Sequence, residues 1–216
     1  VYQPSYHAPP DNAALWALIQ AHPLGHWVCH TEQGLQANAI PWVLDRSGER
    51  VRLRGHVARA NPVVRQLAAA GSPSVVCFVG PQAYITPTWY PGKAAHGKVV
   101  PTWNYLTAHV HGPARVVDDA EWLRQTLVLL TAAQEGPTGW RLDDAPPDFI
   151  QGLQRAVVGV EIEVDRLEGR FKLSQDEEAA DRLGTLGGLR ARGRGDDRLL
   201  ADWIESFPAR AGERTA

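Results

Sequence analysis

GPQAYITPTWYPGKAAHGKVVPTWNYLTAHVHG, residues 80–112, holds two Pro-Thr-Trp tripeptides, Pro87-Thr88-Trp89 and Pro101-Thr102-Trp103. They bracket a Gly/Lys/His segment, and the layout reads as two aromatic strand ends around a flexible loop. From Thr102 to Val110 the residues are mostly β-branched or aromatic, and period-2 alternation places Trp103, Tyr105, Thr107 and His109 on one face of a strand. A face of rings with polar tips suits a planar, partly polar ligand that needs stacking area and a few hydrogen bonds. The same pattern also describes a strand whose aromatics fill a core.

Towards the N-terminus the pattern is strand-rich. Val1 to Pro10 is a proline-bearing arm, and Asp11 or Asn12 can cap a helix over Ala13 to His22, with Leu15, Trp16 and Ile19 as its apolar stripe. Gly25 to Thr31 and Leu35 to Leu44 form a hairpin around a three-residue turn, Glu32-Gln33-Gly34. Val51 to Val57 alternates, with Arg52, Arg54 and His56 on its polar side, and Ser74 to Gly80 is a buried strand. Five strands are therefore expected before residue 117. Between the last two of these segments, Asn61 is a good N-cap and Pro62 a good first residue for a helix running to Ala70. A helix start beside Arg54, His56 and Arg59 is a natural anion site, although the spacing matches no phosphate-loop motif.

On the C-terminal side, Asp118 and Asp119 cap a helix through Glu135, with Trp122, Leu123, Leu127 and Leu130 on its apolar face. Pro146 to Arg155 is a shorter amphipathic helix, and Val157 to Leu167 an alternating strand. Gly184 to Asp197 is rich in glycine and arginine, so the last twenty or so residues are expected to pack loosely, with Leu199 to Phe207 docking as a small helix.

Composition narrows the classes. With 216 residues and 44% hydrophobic content the chain can bury a sizeable core. A formal charge of −2 and a pI near 6.5 provide no global basic field, so nucleic-acid binding would need a local patch such as Arg190, Arg192 and Arg194. Cys29 and Cys77 lie in apolar runs and read as buried thiols of a reducing compartment, which speaks against cysteine catalysis. No membrane span or export signal is legible, so a cytoplasmic location is expected. The pairs His109/His111 and His26/His30 lack further ligands at matching spacing, and no helix-turn-helix is evident.

Four motifs together carry a resemblance. Gly80 to Tyr90, Val100 to Tyr105, Gly55-His56 through Asn61-Pro62, and Lys172-Leu173-Ser174-Gln175 resemble, in order, the PaiB family of FMN-binding negative transcriptional regulators, over about residues 1 to 180. The resemblance implies a mainly β fold with peripheral helices, an FMN-binding split β-barrel of antiparallel Greek-key type. It also implies FMN as cofactor and a homodimer with flavin between subunits, with Trp89, Trp103 and Lys172 near the boundary. Residues 1–180 would be the flavin-binding domain and 181–216 a loosely packed helical appendage. By position in those motifs, Arg54, His56 and Arg59 would hold the FMN phosphate, with Asn61 also among the cofactor-binding residues, Trp103, Asn104 and Tyr105 would lie near the ring or ribityl chain, and Lys172 and Gln175 would come from near the subunit boundary. The implied role is transcriptional repression, directly or through a partner. A flavin-dependent oxidoreductase or flavin reductase using NAD(P)H, or a haem-binding protein, would share the fold.

Overall fold

Proline 41 breaks what would otherwise be one long strand. It has no N–H for the ladder, and the next backbone N–H, of Trp42, donates instead to the carbonyl of Pro23 at 2.9 Å. In the computed structural model, which describes residues 1–67 and 71–207, the expected strand 35–44 is thus two, β2 (Gly34–Pro41) and β3 (Val43–Asp45). This is why six strands, not five, have formed by residue 117. The others are β1 (Leu24–Thr31), β4 (Arg52–Ala58), β5 (Ser72–Ile85), β6 (Thr102–Val117), β7 (Val157–Glu163) and β8 (Arg166–Lys172). Their hydrogen-bonded order is β2-β1-β5-β6-β7-β4-β3, with β8 paired to β6. The registers of β1 with β2 and β5, of β4 with β3 and β7, and of β6 with β7 are all antiparallel. Among the described residues the order ends on β2 and β3 without closing.

The helices are α1 (Asn12–Ala21), α2 (Val63–Gln66), α3 (Pro91–Ala95), α4 (Ala120–Glu135), α5 (Pro147–Arg155), α6 (Ala179–Arg192) and α7 (Asp197–Ser206). None of the described helices is long and apolar enough to cross a membrane. The first hairpin turns tighter than expected: Thr31 pairs with Gly34, leaving two turn residues, and Gly34 adopts φ +100°, which a side chain would resist. Asn61 caps α2 as its residue type suggests, its Oδ1 accepting from the N–H of Val63 at 3.1 Å. The helix stops at Gln66; residues 68–70 of the expected helix lie outside the described set. The first Pro-Thr-Trp forms a single 3-10 turn, capped by Thr86, and the segment after it is α3.

Contacts divide the chain into two units. The second, Gln20–Phe78 with His109–Leu167, has a core of Trp27, Trp42, Leu53, Val76, Phe78, Val160 and Ile162, with the Trp27 and Trp42 rings edge to face at 6.3 Å. Against β7, Trp122 of α4 lies over Gly159, where a Cβ would come within 2.2 Å of the ring. Arg54 stacks on Trp122 with its guanidinium 5.1 Å from the ring centroid.

The first unit comprises Val1–Ile19, Val79–Ala108 and the described part of Glu168–Ala216. Its core joins Leu15, Leu18, Ile85, Leu106, Phe171 and Leu173 to Leu189, Leu200, Ala201 and Ile204 of α6 and α7. Phe171, Trp203 and Phe207 form an aromatic cluster with centroids 5.5 to 5.7 Å apart. The loose packing expected after residue 180 is therefore corrected for the described residues through Phe207. The glycines of α6 are not linker glycines: Gly184 and Gly188 make room for Trp89, whose atoms a Cβ at either position would approach within about 2 Å.

If α6 and α7 are integral to the first unit, Leu200→Ala should destabilise the protein by about 2–5 kcal/mol, the range for a fully buried leucine. Urea unfolding of the two proteins measures this, and a loss below about 0.5 kcal/mol, the surface-substitution range, would contradict the packing.

Candidate functional site

In the first unit, the alternation of β6 turns Asn104, Leu106 and Ala108 inward, all fully buried, and leaves Trp103 54% exposed. The half-exposed Tyr84 of β5 meets the Trp103 ring edge to face at 6.1 Å. Two cations of β8 belong to the same unit. Arg170 sets its guanidinium 5.5 Å from the Tyr2 ring and 5.7 Å from the Tyr105 ring, and Lys172 donates from Nζ to Thr102 Oγ1 at 2.5 Å. Among the described residues neither cation has a carboxylate within ion-pairing distance. Arg170 also donates to Nδ1 of the buried His7 at 3.1 Å, while its own buried Nε has no partner. With Nδ1 accepting, the neutral ring carries its proton on Nε2, which faces Asp176 Oδ1 at 3.4 Å. The hydrogen bond from His7 holds the Asp176 carboxyl below the usual carboxylate range, with Lys172 adding a smaller lowering effect against the opposing effect of burial.

Asn104 and Gln175, both expected to contact the ligand, make hydrogen bonds within the protein, and Asn104 keeps a buried Oδ1 without a partner. Asn104 is fully buried and donates from Nδ2 to Ser174 Oγ at 2.7 Å. Gln175 accepts from the N–H of Leu173 at 2.7 Å and donates to the carbonyl of Phe171 at 2.5 Å. Together they hold a turn in which Ser174 sits at φ +57°, sparsely populated for a residue with a Cβ. These residues position the end of β8, and with it Lys172. Trp89, expected at a subunit boundary, is packed against Gly184 and Gly188 of α6, with the guanidinium of Arg192 over its ring at 4.8 Å.

In the second unit the expected phosphate group is dispersed among other partners. Arg54 pairs with Asp45 at 2.5 Å and approaches Glu161 at 3.8 Å. Arg59 grips Asp118 with two bonds of 2.7 Å and also donates to the carbonyls of Arg155 and Val157. Asp118 is thereby occupied, and Asp119 alone caps α4, accepting from the N–H of Trp122 at 2.7 Å. Asn61 spends its amide on Asn38 Oδ1 at 2.8 Å. His56 lines a cleft with Leu127, Thr131 and Trp140. Charges already matched by carboxylates attract an anion weakly, and a helix as short as α2 adds little dipole. In the basic patch at the C-terminal end, two of the three arginines are paired, Arg190 with Glu205 at 2.6 Å and Arg192 with Asp197 through two bonds. Cys29 and Cys77 are free, and burial raises both thiols.

The sequence reading missed Arg170, Tyr84 and the His7–Asp176 pair. Arg170 was within reach, since it shares a strand face with Lys172 two residues on. His7 lies some 160 residues from its partners, at separations of 163 from Arg170 and 169 from Asp176, and no local pattern links them.

Comparisons with known proteins agree on a family. The family described as "Putative FMN-binding domain" matches residues 1–166. An uncharacterised Emericella nidulans protein, AN0679, is 32% identical over 94% of this chain and 96% of its own. Protease synthase and sporulation protein PAI 2 of Bacillus subtilis is 27% identical over 95% of this chain and 97% of its own. Among solved structures, the FAD and heme binding protein from Mycobacterium smegmatis superposes with a TM-score of 0.54 at 15% identity, covering 77% of this chain and 73% of its own, which shows a likeness of fold.

The lowered Asp176 carboxyl has a pH signature. A carboxyl whose folded pKa lies below its unfolded value stabilises the fold above the unfolded value, about 3.9, and loses that contribution as pH falls through the folded pKa. Asp176→Asn should therefore be less stable than the parent at neutral pH, with the gap closing below about pH 4. Denaturation midpoints of both proteins across that range measure it; a gap independent of pH would place the interaction elsewhere.

Proposed function

The chain belongs to the PaiB-like family of FMN-binding proteins, and on that footing we propose that it binds FMN on the Trp103–Tyr84 face of the first unit and acts as a flavin-dependent regulatory protein. The observation that carries this reading is an exposed aromatic pair in the same unit as two cations, Arg170 and Lys172, that lack carboxylate partners. Indole and phenol rings supply stacking area for an isoalloxazine. The unmatched cations supply charge-assisted donors for a phosphate dianion. The residues fit the cofactor on one further count: the buried Nε of Arg170 has no partner. Asn104, Ser174 and Gln175 hold Lys172 in place. Arg54 and Arg59, ion-paired with Asp45, Glu161 and Asp118, and Asn61, bonded to Asn38, serve the second unit.

Bound flavin would supply reversible one- and two-electron chemistry, and the protein would orient it and set its surroundings. The open antiparallel sheet is read here as a split β-barrel, supported by the likeness of fold to the FAD and heme binding protein. A regulatory role is supported by the similarity to PAI 2 over nearly the full length of both chains. A cytoplasmic location fits two free thiols. The working unit is read as a homodimer, because Tyr84, Val100 and Trp103 are large apolar side chains left in solvent by one copy.

FMN at about 100 times its Kd should stabilise the protein by about 2.7 kcal/mol, visible as a shift in Tm. Lys172→Ala or Arg170→Ala should weaken FMN by about tenfold or more and riboflavin much less, since only FMN carries the dianion. Trp103→Ala should weaken both. Flavin-fluorescence titrations measure these losses, and equal effects of the cation variants on FMN and riboflavin would remove the phosphate assignment. Steady NAD(P)H oxidation by the FMN-loaded protein would favour an oxidoreductase over a regulator.

A dimer of this kind should bury more than about 1,000 Å² in total. Sedimentation at micromolar concentration should give twice the 23.7 kDa chain mass; a monomer that still binds FMN would rule out a shared site.

A further inference from the structure

Within the second unit, α4, α5 and the residues joining them leave a cleft of about 380 Å³ over the end of β4. Leu127, Leu142, Ile150 and Leu153 line it, with the half-exposed Trp140 at its rim. A neighbouring recess of about 320 Å³ shares His56, Leu127, Thr131 and Trp140 with it and reaches Trp42. Such volumes are in the range of small-ligand sites.

Polar atoms at this place are unusually poor in partners. The Nδ1 of His56 and the Nε2 of Gln154, both lining the cleft, are buried and make no hydrogen bond, and the Nε1 of Trp42 in the recess is in the same position. A buried polar atom without a hydrogen-bond partner is costly, so three at one locus call for an occupant. No lysine or arginine lines either recess. Burial pushes the His56 imidazole below its ordinary value, so the ring is neutral at pH 7 and able both to donate and to accept. An anion would find no countercharge here, while an apolar body would be well covered.

We propose that this cleft binds a small, uncharged, mainly apolar molecule bearing a hydroxyl or carbonyl group, whose oxygen accepts from the Gln154 amide and meets the His56 imidazole while its body lies against Leu127, Ile150 and Trp140. The site uses none of the residues assigned to FMN. It turns His56, which the sequence suggested for a phosphate, into a recognition group for a neutral ligand.

Para-fluorophenol, followed by fluorine NMR against the full chain, is a suitable probe. It should bind saturably, fluorobenzene more weakly for want of the oxygen, and para-fluorobenzoate least. Gln154→Leu should weaken the phenol by about tenfold and leave fluorobenzene unchanged, as expected for one hydrogen bond. Leu127→Trp, which fills the cleft, should abolish binding of both. Circular dichroism and urea unfolding of each variant check that its fold is intact. No saturable binding of the phenol to the parent protein would overturn the proposal, as would equal binding by Leu127→Trp, or equal affinity for phenol and benzoate. If Leu127→Trp fails to fold, the Gln154→Leu comparison of phenol with fluorobenzene decides alone, and equal losses for both probes would overturn it.

Discussion

The buried guanidinium of Arg182 holds the first unit together by an uncommon route. Among the described residues no carboxylate pairs with it; it donates to the carbonyls of Leu173 and Ser174 at 3.1 and 3.3 Å and, more closely, to those of Ile204 and Phe207. One planar fork therefore ties the turn after β8 to the end of α7, satisfying carbonyls that a helix terminus leaves without donors. Burial pushes the guanidinium below its ordinary pKa, but an arginine remains charged under any physiological condition. Lys172 precedes that turn, so the placement of a cation proposed to meet flavin rests on a contact far along the chain. An apolar residue at 182 would take this donor away from all four carbonyls.

In the second unit the governing constraint is charge matching. Glu161 is almost fully buried on β7 and accepts from Arg115 at 2.6 and 2.9 Å, with Arg54 at 3.8 Å and Arg52 at 4.0 Å. Removing this carboxylate from water is tolerable only because several guanidinium groups surround it. The arrangement also explains why Arg54 is a poor candidate for an external anion: its charge is already engaged by Asp45 and Glu161. Arg59 is in the same position with Asp118. Positive residues beside a helix start look like an anion site in sequence because a pattern does not show which carboxylates they pair with: Asp45 is near Arg54 in the chain, but Asp118 and Glu161 lie about 60 to 110 residues from Arg59 and Arg54.

Local patterns were legible where local physics decides them. The alternation of Thr102 to Val110, the cap at Asn61 and the glycine closing the first hairpin all follow from side-chain period, a short acceptor side chain and φ > 0 respectively. The motifs pointed to the family. What stayed hidden depends on tertiary partners. Nothing near Asn104 or Gln175 says that one is fully buried and the other folded back on its own strand end. Composition alone makes 184–197 look like a linker, because a glycine that admits a tryptophan is indistinguishable from one that merely bends.

The seat of Trp89 on α6 also limits how this protein could be made more robust. Exchanging helix glycines for alanine is a standard route to added stability, since each exchange removes backbone freedom from the unfolded chain. At Gly184 and Gly188 that route is closed, because even a methyl group would collide with Trp89. Gly187, between them in sequence, has open space where its Cβ would be. A helix with adjacent glycines of such different tolerance separates positions held by shape from a position held by nothing in the fold, and only the latter is free for an engineer to spend.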